Sequence, residues 1–285
     1  MLGGGGSAGV GWESGLLHGL AESGIDVLSA GLIVGTSAGA VVGVRARCAR
    51  DSAQLYEQAM VPTGPPVDLD FDRLTHRWAQ TVDGAETAAD GRRRLAVFAA
   101  GNSLVDARRR RAEIAAMLPT PTWPAAPLVV AAVNGTTGRH TGFAVGSGVD
   151  LVDAVAASCA VPGVWPPVTI DGDPYVDGAV RSALNADLAA GGDPVLALAP
   201  LPDPSGRLER ELARLPAGTR HLLMTADGPS AEAFGSNPLD PSVGPAAARA
   251  GHRQGRAMAD VVRDLLGAAS GLPPAAGRPV TGRPG

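Results

Sequence analysis

Two short motifs place a serine and an aspartate where they could act on an ester. The first is the pentapeptide Gly35–Gly39, which fits G-x-S-x-G with Ser37 at its centre. An apolar run, Leu32–Val34, predicts a buried strand before it, and small residues from Ala40 to Ala49 predict a helix after it. The glycines of such a turn let the backbone crowd together, and the helix N-terminus favours an alkoxide or oxyanion. The alternative is an ordinary turn with an exposed serine.

A serine nucleophile requires a base, and Asp177 is the main candidate. It lies at the end of a short predicted strand, directly before Gly178. A carboxylate presented there could take the serine proton itself. The common hydrolase order of serine, acid and histidine leaves His221 or His252 as an alternative base. Neither histidine stands in a glycine-rich or loop motif, and a histidine beside an apolar strand is more often structural.

The glycine run near the start of the chain has more than one interpretation. Gly4, Gly6 and Gly9 fit G-x-G-x-x-G, the dinucleotide fingerprint, which requires an acidic residue at the end of the next strand. The next predicted strand ends at Val34 and continues without Asp or Glu, which disfavours a nucleotide site. Consecutive glycine N–H groups can instead converge on a developing negative charge, which predicts an oxyanion hole. A flexible linker is disfavoured because a predicted helix, Trp12–Ser23, follows directly.

Composition excludes several function classes. The 285 residues are 45% hydrophobic and 18% charged, so a folded core built mainly from Ala, Val and Leu is expected. All 24 positive residues are arginine, which excludes a lysine base, a Schiff base and a Walker-type phosphate loop. A net charge of −4 argues against nucleic acid as a partner.

The sequence carries few features that indicate a redox environment or a cellular location. Cys48 and Cys159 are too few for a disulfide framework or a zinc cluster. No apolar run of membrane-spanning length and no secretory signal is visible, so a cytoplasmic protein is expected.

Alternating strands and helices predict an α/β layered fold. We expect one domain over residues 1–270, with a helical insertion at about 51–127 and a disordered tail at 271–285. Helices are predicted near 70–80, 86–100, 104–117 and 244–269, and strands at 128–133, 168–170, 195–198 and 221–225. Seven arginines between Arg92 and Arg111 could contact anionic lipid, but a solvated helix face is favoured because the rest of the chain is acidic.

Four sequence blocks together resemble the patatin-like phospholipase family, and they occur in the order typical of that family. The third block is the most specific, because unrelated G-x-S-x-G hydrolases lack it. The blocks are GGGSAG at Gly4–Gly9, GTSAG at Gly35–Gly39, SCAVPGVWPPV at Ser158–Val168 and YVDGA at Tyr175–Ala179.

The resemblance implies a three-layer α/β/α sandwich around a mostly parallel sheet, and a lipid acyl hydrolase that works through an acyl-enzyme. It implies Ser37 as nucleophile and Asp177 as general base, with no cofactor and no metal ion. The substrate would be a lipid or another ester, with room for peripheral contact with a membrane. The implied oxyanion donors are Gly4, Gly5 and Gly6, and the supporting motif residues are Gly9, Gly35, Gly39, Gly178 and Ala179.

Two departures from the family pattern support an alternative. Ala8 stands where the family commonly carries a basic residue, and only Met1-Leu2 stand where it has a full first strand. The alternative function is a catalytically weak or inactive regulatory protein on the same fold.

Overall fold

The computed structural model describes residues 1–267, so the predicted tail at 271–285 lies outside the described residues. Within this part the chain forms seven strands and eleven α-helices. The strands are β1 Ile33–Thr36, β2 Leu128–Asn134, β3 His140–Phe143, β4 Val168–Ile170, β5 Asp173–Asp177, β6 Val195–Ala199 and β7 His221–Thr225. The helices are α1 Gly6–Glu22, α2 Ala38–Cys48, α3 Ser52–Ala59, α4 Phe71–Val82, α5 Ala88–Gly101, α6 Ala107–Met117, α7 Leu151–Ser158, α8 Arg207–Leu212, α9 Gly228–Phe234, α10 Gly244–Ala257 and α11 Ala259–Gly267.

The sheet is mixed, with a parallel centre. β1 pairs in parallel with β2, and β6 pairs in parallel with β7. Leu2 bridges the two pairs, because it forms parallel bridges with both Gly35 and Leu198. β3 and β5 join β2 antiparallel, and β4 joins β5 antiparallel. A single residue therefore occupies the strand position between β1 and β6.

Two strands meet end to end along one edge of β2. Thr36 of β1 is opposite Ala131, and Asp177 of β5 is opposite the next residue, Ala132. β3 pairs with Val130 through Val133 and overlaps both registers, so it must lie on the other edge of β2. The end of β1 therefore abuts the end of β5.

Helices cover both faces of the sheet, which gives the predicted three-layer sandwich. Successive strand residues point to opposite faces. Val130 of β2 belongs to the main core with α1, α2 and α7, whereas Val133 packs with Ala99 of α5. In β6, Leu198 joins the main core and Ala197 packs under α8. The predicted α/β class is confirmed.

The insertion between α2 and β2 holds α3 to α6. Each of these helices begins after a residue whose side chain accepts a backbone N–H of the first turn, which is the usual N-cap arrangement. The caps are Asp51, Asp70, Thr87 and Asp106. Most arginines of α5 and α6 lie on exposed faces in ion pairs, such as Arg93 and Arg94 with Asp90. This arrangement fits the solvated helix face.

α1 and α10 pack with their backbones almost in contact. Glycines make this approach feasible, because a Cβ on Gly15 would overlap Ala248 O and one on Gly255 would overlap Leu16 O. α1 consequently begins at Gly6, earlier than predicted, while the predicted long helix at 244–269 is divided at Met258 into α10 and α11. Within residues 1–267, no helix has the length and apolar character needed to span a membrane.

Candidate active site

Ser37 forms a strained turn between β1 and α2. Its φ is 53° and its ψ is −115°, a backbone conformation that is costly for a residue with a side chain. Two hydrogen bonds hold it there. The Ser37 N–H donates to Ser158 Oγ at 2.8 Å, and the Cys159 thiol donates to the Ser37 carbonyl at 3.4 Å. The block Ser158–Val168 therefore supports the serine turn from the end of α7.

The two outer glycines of the G-x-S-x-G motif serve close packing. A Cβ on Gly35 would lie 2.5 Å from Gly39 O and 2.7 Å from Ala40 Cα. A Cβ on Gly39 would overlap Leu2 O. Both positions have ordinary φ values, so lack of space requires glycine here rather than a left-handed backbone.

Asp177 lies at the end of β5 and is 2% exposed. Its Oδ1 accepts the Ala179 N–H at 2.8 Å, whereas its buried Oδ2 has no hydrogen-bond partner among the described residues. Burial raises the pKa of Asp177 to about 7, and the opposing influences of the Ala179 N–H, the nearby Ser37 side chain and Arg110 are smaller. Ser37 is thus close to a carboxylate oxygen that is free to accept its proton.

Gly178 allows the Asp177 turn to sit against the sheet. A Cβ at this position would lie 2.6 Å from Ala131 O and 3.1 Å from a Thr36 methyl carbon. Asn185 ties the same turn to β1, because its Nδ2 donates to Thr36 Oγ1 at 3.1 Å and to the Gly178 carbonyl at 3.3 Å. Asn185 is fully buried and holds the Asp177 turn against the end of β1.

The glycine loop offers backbone donors at the start of α1. Gly4 N–H is already engaged, since it donates to Ala183 O at 3.2 Å. The N–H groups of Gly5 and Gly6 have no acceptor within residues 1–267, and the same holds for Ala38 at the start of α2. The candidate oxyanion donors therefore narrow from Gly4–Gly6 to Gly5 and Gly6, with Ala38 as a donor that sequence reasoning missed.

A buried glutamate supports this loop. Glu13 on α1 is fully buried, and its Oε1 accepts the Gly3 N–H at 2.7 Å. Burial raises the pKa of Glu13 well above its usual range. The signal in the sequence was a single acidic residue within the apolar and glycine-rich stretch GSAGVGWESGLLHGL, and sequence reasoning missed it.

A cleft of about 270 Å³ opens at Ser37. Its lining is largely apolar and comes from α1, α2, the insertion, the loop after α7 and the segment between α9 and α10. Its larger apolar side chains include Val10, Val41, Leu104, Met117, Val164, Trp165 and Leu239. A larger cavity of about 670 Å³ lies near the start of β1 and β6. The larger cavity does not include Ser37, so the smaller one is the candidate substrate cleft.

Arg110 brings a buried positive charge to this cleft from α6. It is 8% exposed, its guanidinium lies 3.8 Å from the centre of the Trp165 ring, and Nη1 donates to Glu113 at 3.3 Å. Burial lowers the pKa of Arg110, and its charge in turn lowers the pKa of Asp177. Arg110 therefore acts electrostatically on the candidate base.

Histidines take no part in this site. The described residues that line the cleft include none, His221 is exposed on β7, and His252 contacts Glu22 on α1. The geometry thus gives no support to the histidine alternative, whereas Ser37 and Asp177 are brought together.

Comparison with known families adds an independent finding. A family model described as patatin-like phospholipase matches residues 1–190, which include the glycine loop, Ser37 and Asp177. This match confirms the resemblance predicted from the four sequence blocks. A comparison with curated proteins found no match.

Proposed function

This chain belongs to the patatin-like phospholipase family, and we propose that it hydrolyses fatty acyl esters of lipids with Ser37 as nucleophile and Asp177 as base. One observation carries the proposal. β1 and β5 end against each other on the same edge of β2, so the strained Ser37 turn faces a buried carboxylate whose Oδ2 has no partner among the described residues. A serine turn with only a structural role would not require an unpaired buried carboxylate beside it.

The first half of the reaction forms an acyl-enzyme. Asp177 Oδ2 removes the proton from Ser37 Oγ, and the oxygen attacks the ester carbonyl carbon. The carbonyl π electrons move to oxygen, which accepts hydrogen bonds from Gly5, Gly6 and Ala38 at two helix N-termini. When the intermediate collapses, the C–O bond to the alcohol or lysolipid breaks, and Asp177 returns the proton to the leaving oxygen.

Hydrolysis of the acyl-enzyme repeats these roles with water. Asp177 removes a proton from water, the resulting oxygen attacks the Ser37 ester, and the Ser37 oxygen leaves with that proton. The free fatty acid is the second product. The acyl chain packs against the apolar wall of the cleft. This burial stabilises the complex by roughly 25 cal/mol for each Å² of apolar surface removed from water.

Hydrolysis of p-nitrophenyl esters and phospholipids by the wild type and Ser37→Ala tests the proposal. We expect turnover and fluorophosphonate labelling of the wild type, and loss of both in Ser37→Ala with an unchanged circular dichroism spectrum. Ser205→Ala, an exposed loop serine, is the matched control and keeps both. Ester turnover by Ser37→Ala at the wild-type rate would refute the dyad. A folded wild type without turnover or labelling would favour the regulatory alternative.

A further inference from the structure

Away from the cleft, three side chains capable of metal ligation converge where the C-terminal end of α1 meets α10. They are His18 and Glu22 of α1 and His252 of α10, and their ligand atoms all lie within 4.8 Å of one another. We propose that this cluster binds a divalent transition metal ion, with Zn²⁺ as its representative, and that the ion links α1 to α10.

The close approach of the two helices creates the cluster. His18 and Glu22 are four residues apart on α1, so they share one face of the helix. A Cβ on Gly19, between them, would overlap His252 O, which shows how near α10 lies at this point. His252 therefore enters beside the α1 pair, although it is more than 200 residues away in the sequence.

The ligand atoms of the three side chains lie close together, and the His18 and His252 rings stack with centroids 5.2 Å apart and 23° between their planes. Both oxygens of Glu22 face a histidine, with Oε1 3.4 Å from His18 Nε2 and Oε2 2.7 Å from His252 Nε2. Ligand atoms around a tetrahedral Zn²⁺ with bonds of about 2.0–2.1 Å lie roughly 3.3–3.5 Å apart. Rotation of the two stacked imidazoles and of the Glu22 carboxylate is needed to reach that spacing. Two imidazoles and one carboxylate are a donor set that suits zinc and leaves a fourth position for water.

Neighbouring groups from α3 orient the first histidine. His18 Nδ1 lies 3.0 Å from Ser52 Oγ, and donation from Nδ1–H to this oxygen leaves the Nε2 lone pair directed at Glu22. The Tyr56 ring stacks on the His18 ring at 5.0 Å between centroids and lies 5.4 Å from that of His252. In histidine metal sites, the ring nitrogen that does not bind the metal usually donates a hydrogen bond to a neighbouring group. This bond fixes the tautomer and the orientation of the ring.

The charges around the cluster favour a cation. Burial lowers the pKa of His18, and the carboxylates of Glu22, Asp51 before α3 and Glu57 on α3 oppose that shift. Arg256 is the competing positive charge, at 3.8 Å from Glu22 Oε2, and its side chain is 63% exposed. An exposed arginine can move into solvent when a metal ion takes its place, because exposed ion pairs contribute little.

Isothermal titration of the tag-free full chain with ZnCl₂, after removal of metals by a chelator, tests this site. We expect one equivalent of Zn²⁺ to bind with a Kd of about 10 µM or tighter, and Co²⁺ to give visible absorption bands typical of four-coordination. His18→Ala and His252→Ala should weaken binding at least tenfold, and Ser52→Ala should weaken it about tenfold through orientation alone. His221→Ala removes an exposed histidine elsewhere and keeps the wild-type affinity.

Glu22→Gln is the variant expected to stay folded even if a histidine variant does not, because Glu22 is exposed and the amide keeps the shape of the side chain. Zinc should raise the melting temperature of the wild type but not that of Glu22→Gln. Absence of saturable binding below roughly 100 µM, or wild-type affinity in both histidine variants, would overturn the site. Because the measurement is of binding, its outcome is independent of ester hydrolysis.

Discussion

The sheet edge that holds Ser37 and Asp177 and the helical insertion of residues 51–127 are constrained in opposite ways. At the sheet edge, backbone segments touch with no space for a side chain, as at Gly35, Gly39 and Gly178. In the insertion, helices expose much of their surface, and even Val97 on α5 is 73% exposed. Residue types are therefore dictated by contacts in the first region and much less so in the second.

Arg110 is the exception that connects the two regions. Among the seven arginines between residues 92 and 111, it alone is buried, and it alone acts electrostatically on Asp177. The tightly packed edge holds the proposed nucleophile and base, while the insertion supplies part of the cleft wall and one charge that acts on the proposed base. Four predictions test this division, in order of decreasing effect.

Asp177→Asn should have the largest effect. The amide cannot take the serine proton, so we expect kcat for an ester to fall about 10³-fold or more. The Asn oxygen can still accept the Ala179 N–H, so the fold should persist. Asp171→Asn, at an exposed turn six residues earlier, is the control and should stay within twofold. Retention of more than a tenth of the activity would remove Asp177 from the mechanism.

The pH dependence should follow from the burial of Asp177. Its pKa is raised to about 7, and only the ionised form can act as base. We therefore expect kcat/KM to fall about tenfold per pH unit on the acid side of pH 7.

The raised pKa of Asp177 also means that the folded state holds this proton more tightly than the unfolded chain does. The stability that the protonated form contributes is full below about pH 4 and is lost as pH rises through 7.

Comparison of Asp177→Asn with the wild type isolates that stability change. The unfolding free energy of the variant relative to wild type should rise by about 4 kcal/mol between pH 4 and pH 8, since a shift of three units corresponds to that amount. Denaturant titrations at both pH values measure it. An unchanged difference, with activity retained at pH 5, would show that Asp177 ionises normally.

Gly178→Ala should damage the packed edge itself. The new methyl would lie 2.6 Å from Ala131 O, a backbone atom that cannot move independently. We expect a loss of about 1–3 kcal/mol in unfolding free energy and at least a tenfold loss of kcat, because Asp177 is displaced. Gly228→Ala is the matched control, since a Cβ there meets nothing within 4 Å. Equal stability of the two variants would mean that the sheet edge can accommodate a Cβ at position 178.

Arg110→Gln should have the smallest effect and should separate charge from packing. Loss of the guanidinium raises the pKa of Asp177, so the acid limb of kcat/KM moves to higher pH and activity at pH 7 falls roughly two- to threefold. Arg110→Lys keeps the charge and should restore the wild-type limb. Arg93→Gln, an exposed residue paired with Asp90, should leave the limb in place. A limb that moves equally in all three variants would contradict the assigned role of Arg110.

Much of this architecture was predictable because its signals are local. The apolar run at Leu128–Val133, the strand at His221–Thr225 and the three helices of the insertion after Pro66 lie within a few residues of their predicted places. Alternation of small apolar and turn residues carries that information. Ser37 and Asp177 were identified from motifs in the same way.

Features that depend on distant partners were not predictable. The glycines from Gly6 onward weaken an isolated helix, yet here they form the start of α1 because α10 packs against it. The complete burial of Glu13 and the engagement of Gly4 N–H by Ala183 also depend on the folded structure. No pattern among neighbouring residues predicts such contacts.

The amino-acid sequence by itself determined the family and the layered α/β class, and it marked Ser37 and Asp177 as the candidate nucleophile and base, since motifs and periodicity are properties of neighbouring residues. Tertiary structure alone decided that β1 and β5 end against each other, that the N–H groups of Gly5, Gly6 and Ala38 have no acceptor within residues 1–267, and that Arg110 acts electrostatically on Asp177. It also brought His252 to His18 and Glu22. The physical reason is that burial and electrostatic interaction act through space, so the raised pKa of Asp177 and the juxtaposition of His18, Glu22 and His252 exist only once the chain has folded.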